Sequence, residues 1–134
     1  MAKGHEVHQQ RLMALQAIGK DLARRAKSKC EITGESGVRL LPYEVPPVAA
    51  EPDLERTLLV SEACLEVLDS PKRLAGRQPW QCLAEVVWSD FPAVQVVAWR
   101  MLHELAKRED WARETLDEVF LDEAVEEWAK SALL

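Results

Sequence analysis

The run Pro92-Ala93-Val94-Gln95-Val96-Val97-Ala98-Trp99-Arg100-Met101-Leu102, continued to Lys107, limits the fold more than any other stretch of the chain. Its apolar residues recur at three- and four-residue steps, so Val94, Val97, Ala98, Met101, Leu102 and Leu105 share one helical face, which Trp99 and Ala106 widen. Only a narrow polar strip of Arg100, Glu104 and Lys107 is left over. A helix apolar around more than half its circumference needs cover on two sides, from its own domain or from a second subunit. Gln95 falls inside the apolar arc and needs a hydrogen-bond partner there, while His103 sits at the edge of the arc near Trp99. Pro92 suits the first turn, and Ser89-Asp90 is the expected cap.

The second constraint is the stretch from Cys30 to Cys64. Structural zinc sites of the ribbon or treble-clef kind use C-x2-C twice, because two thiolates so spaced on a tight turn grip one tetrahedral ion. Here each pair keeps one cysteine and carries a hydroxyl in the other place: Cys30 with Thr33, Ser61 with Cys64. Gly34 and Gly37 supply positive-φ positions for the first turn. Residues 38–41 and 43–45 read as a strand interrupted by Pro42, hence an edge strand. After a Pro-rich loop, residues 57–60 read as its partner. Ser61 is the expected N-cap of a helix over 62–68, with Cys64 in its first turn. Neutral hydroxyls are poor zinc ligands, so the expectation is a metal-free, vestigial knuckle with no cofactor, held by Ile32, Leu40, Leu59, Leu65 and Leu68. If the ancestral geometry survives, Cys30 and Cys64 face each other, within reach of a disulfide under oxidation.

These residues carry a resemblance. Ser28-Lys29-Cys30-Glu31, Tyr43-Glu44-Val45-Pro46-Pro47, Leu59-Val60-Ser61 to Cys64-Leu65, Trp80-Gln81-Cys82-Leu83, Trp88-Ser89, the run 92–102, Trp111, Leu116-Asp117, Leu121-Asp122-Glu123 and Trp128-Ala129-Lys130 are similar to the amino-terminal part of the PhnA-like proteins. This bacterial family is named after an alkylphosphonate-utilisation locus. The resemblance implies a knuckle followed by a Trp-rich helical segment and a small carboxy-terminal barrel. This chain departs from it by lacking two zinc ligands, and it stops where the barrel would begin. The fold expected is α+β and mostly α: a degenerate zinc-ribbon or treble-clef β-hairpin knuckle packed on four to five helices. It forms a single domain over 1–134, made of an N-terminal helix (6–29), the knuckle (30–69) and a helical segment (80–132).

Hydrophobic residues at 48% and charged residues at 30% describe an ordinary globular domain, long enough to bury a core without metal or disulfides. The polar amino terminus, the absence of a long apolar run and only three cysteines point to the cytoplasm, with no membrane partner. The net charge of −6 is uneven. Over 6–29, Leu12, Leu15, Ile18, Leu22 and Ala26 line one helical face, and Lys20, Arg24, Arg25, Lys27 and Lys29 crowd its end. That basic cluster suits the helix dipole. It is also a candidate patch for nucleic acid, with the loop of Lys72, Arg73 and Arg77. His5 and His8 share a helical face at the terminus, a weak metal pair. Helices capped by Asp110 and Asp122 are expected over 111–120 and 123–132. Their carboxylates Asp117, Glu118, Asp122, Glu123, Glu126 and Glu127 read as a solvated face rather than a divalent-cation site.

For function, the histidine that HNH nucleases place on the second knuckle strand is missing from Leu41-Pro42-Tyr43-Glu44-Val45, and Cys82 has nothing near it in sequence to activate it. No catalytic residue is therefore assigned. The reading is a non-catalytic interaction or regulatory module, a homodimer through an apolar helix with Trp88, Trp99 and Trp111 as candidate interface residues, and an unidentified protein partner. The alternatives are nucleic-acid association and an enzyme linked to phosphonate metabolism.

Overall fold

The computed structural model describes the backbone of residues 2–74 and 80–134, and the side chains from residue 6 onward within those limits. The architecture is α+β and mostly α, with 59% helix and one two-stranded antiparallel sheet. In chain order the elements are α1 (Ala2–Ala26), β1 (Leu40–Glu44), β2 (Thr57–Ser61), α2 (Glu62–Asp69), α3 (Leu83–Val86), α4 (Pro92–Leu105), α5 (Asp110–Glu118) and α6 (Glu123–Lys130). Short 3-10 turns at Leu54–Arg56, Pro71–Arg73 and Trp80–Cys82 join them.

α1 stops earlier than the sequence suggests. Lys27 and Ser28 both take φ of 56°, and Ser28 N–H closes back on the Ala23 carbonyl at 3.0 Å. That left-handed pair ends the helix, so Lys27 and Lys29 lie beyond it rather than in its last turn.

β1 begins at Leu40 and runs through Pro42, which pairs with Leu59 of β2. The Leu59 N–H and C=O both bond to Glu31, on the side away from β1: Leu59 N–H donates to Glu31 Oε1 at 2.9 Å, and Glu31 N–H to the Leu59 carbonyl at 2.8 Å. Pro42 therefore sits at a non-hydrogen-bonded pair, where a missing N–H costs nothing. The edge-strand reading of this proline holds.

The core lies on one side of the hairpin. Leu58 and Val60 of β2 join Ile32, Leu68, Leu74 and Leu83, together with Val96, Met101, Leu102 and Leu105 of α4, in one buried cluster. α4 is its spine, packed by α3, α5, α6 and β2. Both sides of its apolar circumference are covered within one chain. Gln95 finds its partner, donating to the Val87 carbonyl at 3.2 Å. Two caps differ from expectation. Phe91 is the N-cap of α4, with Ser89 Oγ accepting from the Phe91 N–H at 3.1 Å, and Glu109 precedes α5 so that Asp110 is its first residue.

Arg100 corrects the sequence reading most sharply. It was placed in the polar strip of α4, yet it is only 3% exposed. Its guanidinium donates to three backbone carbonyls: Ala129 at 3.0 Å, Trp128 at 2.8 Å and Pro46 at 2.6 Å. Two of these are carbonyls of the last turn of α6, the negative end of that helix, which offsets the charge that burial disfavours.

Candidate functional site

The four knuckle positions come together at the hairpin's end. The chain leaves α1 and folds residues 30–35 into a closed turn. Cys30 N–H donates to the Glu35 carbonyl at 2.9 Å and Gly34 N–H to the Cys30 carbonyl at 2.8 Å. Gly34 (φ 78°) and Gly37 (φ 72°) take the left-handed conformations anticipated for them. Inside the turn, Thr33 N–H points at the Cys30 sulfur at 3.4 Å, and Thr33 Oγ1 accepts from Glu35 N–H at 3.3 Å. From the other side, Ser61 caps α2, its Oγ accepting from Cys64 N–H at 3.2 Å.

Cys30 and Cys64 are both buried free thiols, and they face each other closely enough for Cys64 to share its proton with the Cys30 sulfur. That hydrogen bond is the main reason the Cys30 thiol is pulled to about 4, far below its ordinary value; donors from Thr33 and the Ser61 backbone add to it, and burial opposes it. Cys64, which gives the proton, is pushed up, first by that bond and then by burial. Cys82 is pushed up mainly by burial.

The arrangement does not fit a structural zinc ion. Two thiols are two short of the usual four ligands, and the Thr33 and Ser61 hydroxyls already bond to backbone amides. Among the described residues no group of three or more His, Cys, Asp or Glu is placed to hold a metal. His8 is exposed, the His5 side chain lies outside the described residues, and the six carboxylates of α5 and α6 named above are all exposed.

The basic patch is broken up. Arg25 turns inward and clasps Glu31 with two bonds, at 3.0 and 2.7 Å. It also donates to the Leu54 and Thr57 carbonyls at 2.8 and 2.6 Å, and it lies over the Phe91 ring at 5.4 Å. It holds the end of α1 onto β2 and is not free to bind anything else. Lys20, Arg24, Lys27 and Lys29 remain exposed, as do Lys72 and Arg73; Arg77 lies outside the described residues.

Sequence reasoning missed both partners of the clasp, although Glu31 stands between two residues that had to be buried, Cys30 and Ile32. It also missed Arg11, which grips Glu44 with two bonds at 2.9 and 2.5 Å and reaches the Ala49 and Ala50 carbonyls. Of the candidate interface tryptophans, Trp88 is exposed, whereas Trp99 and Trp111 pack against the core. Trp99 stacks on His103 with ring centroids 5.1 Å apart.

The apolar surface that does remain open lies elsewhere. Leu12, Leu15, Gly19 and Leu22 of α1 follow one another at steps of three, four and three residues. With Gln16, and with Pro42 and Leu59 on the outer face of the hairpin, they line a groove of about 280 Å³. Leu12 is 48% exposed on its wall, and a side chain added at Gly19 would meet nothing within 4 Å. No helix among the described residues is long and apolar enough to cross a membrane. Compared with known proteins, the chain matches no family model, no curated protein and no solved structure.

Proposed function

We propose that this chain is a non-catalytic interaction module of PhnA-like ancestry, that its knuckle works without metal, and that it pairs with a second copy of itself through α1. The observation carrying the pairing is the groove. Leu12, Leu15 and Gly19 keep the three- and four-residue steps of an a/d seam and stay at least partly open to solvent, with the buried Leu22 closing its end. A seam of this kind is self-complementary, because a two-fold interface sets the same patch against itself. Gly19 leaves the space for a second helix to approach closely.

The test is sedimentation of the wild type beside Leu12→Glu, a substitution at a position already open to water. The wild type is expected to run as a dimer at micromolar concentration with no stoichiometric zinc by elemental analysis, and the variant as a 15.2 kDa monomer. A wild type that stays monomeric at high concentration overturns the pairing, and stoichiometric zinc overturns the metal-free knuckle.

A second reading, nucleic-acid association, is favoured by one observation: Lys20, Arg24, Lys27 and Lys29 stay solvent-facing around the end of α1. It predicts oligonucleotide binding at low salt that falls steeply as salt rises and is lost in a Lys27→Glu/Lys29→Glu variant. Undetectable binding at low salt removes it.

A further inference from the structure

Cys30 and Cys64 are placed for chemistry that the self-association reading does not use, and they share no residue with the α1 groove. The two sulfurs belong to different kinds of backbone. Cys64 sits in the first turn of α2, fixed by the Ser61 cap. Cys30 sits in the turn before β1, where Gly34 and Gly37 have open space about them. The two sulfurs are thus held by separate elements, a hydrogen-bonded turn on one side and a capped helix on the other. A cleft of about 300 Å³, lined by Glu35, Val38, Arg39, Ser61 and Glu62, opens beside them. Cys30 keeps 2% exposure against none for Cys64. Backbone N–H groups of Thr33 and Ser61 are aimed at the Cys30 sulfur, which is the setting of a thiolate nucleophile.

We propose that Cys30 and Cys64 form a covalent modification site: an intramolecular disulfide that hydrogen peroxide installs and a dithiol reductant removes, tying the turn after α1 to the first turn of α2. The Cys30 sulfur attacks one peroxide oxygen. The O–O bond breaks, and the departing oxygen leaves as water with the proton Cys30 gave up. Cys30 is now a sulfenic acid and the peroxide is reduced. The Cys64 sulfur then attacks Cys30; the S–O bond breaks, the S–S bond forms, and a second water leaves with the Cys64 proton. Two thiols and one peroxide thus yield one disulfide and two waters. Cys82, half-buried in the Trp80–Cys82 turn, is not one of the facing pair.

The test uses the full chain, fully reduced, exposed to a small excess of hydrogen peroxide, then alkylated and mapped by mass spectrometry. The expected product is a Cys30 peptide joined to the Cys64 peptide of the same chain, with Cys82 alkylated, all reversed by dithiothreitol. In Cys64→Ser, a sulfenic acid trapped by dimedone is expected at Cys30. Should that variant fail to fold, the wild-type peptide map decides alone. Oxidation of Cys82 ahead of an untouched Cys30–Cys64 pair overturns the inference. So does a disulfide that joins Cys82 or two separate chains.

Discussion

Replacing Arg100 with alanine is expected to cost about 3–5 kcal/mol of unfolding free energy, among the largest effects of any polar substitution in this chain. The guanidinium ties three segments together: α4, the end of α6, and the loop at Pro46. Its loss takes a donor from the Ala129 and Pro46 carbonyls, while the Trp128 carbonyl keeps the Ser131 N–H and hydroxyl. A buried carbonyl without a donor costs on the order of 1–3 kcal/mol, and the truncated side chain adds a cavity beside α4. Lysine is expected to recover only part of the loss, since one ammonium cannot hold the geometry of a planar fork reaching three ways. Urea denaturation followed by tryptophan fluorescence measures both variants. A cost below about 1 kcal/mol for the alanine form would mean that water replaces the guanidinium freely, and would remove this account of α6 docking.

The second large effect is expected at Glu31. Its carboxylate is 5% exposed and its partner Arg25 is 12% exposed, so Glu31→Ala strands a buried guanidinium and also orphans the Leu59 N–H. A loss of about 3–5 kcal/mol follows for breaking a pair of this kind. Glu31→Gln should lose less, because its amide oxygen still accepts from Leu59. Replacing both partners, as Arg25→Met with Glu31→Gln, is expected to cost less than the sum of the two single changes, since no unpaired charge then remains. Strict additivity across that cycle would show that the two groups act separately.

Much of the architecture was written in local patterns. The 3.6-residue periodicity marked α1, α4 and the inward face of α4, Ser61 announced the start of α2, and Gln95 announced its need for a partner; of the apolar face read for α1, only Leu22 is buried. The knuckle spacing drew Cys30, Thr33, Ser61 and Cys64 together before any coordinates did. What stayed hidden were arginines. Arg100 looked like a surface cation because its partners are main-chain carbonyls 28, 29 and 54 residues away, and every residue type supplies a carbonyl. Arg25 looked like part of a basic patch because the turn that brings Glu31 under it depends on Lys27 and Ser28 taking left-handed conformations, with no glycine to signal it. What covers α4 was hidden for a related reason. Periodicity shows how much of α4 must be covered, but the cover supplied by α3, α5 and α6 is a tertiary fact.

α1 stands apart from the rest of the protein in one respect. Its single fully buried large side chain, Leu22, lies outside the cluster that unites the other elements, and its grip on the body runs through the Arg11–Glu44 and Arg25–Glu31 clasps. A helix held by two ion-pair clasps and one fully buried leucine, outside that cluster, contributes its docking separately from the core. Beside it, Leu59 of β2 is half-buried and Pro42 stays exposed. The element that carries the open groove is thus fastened outside the main core, so a substitution in either clasp acts first on how α1 docks.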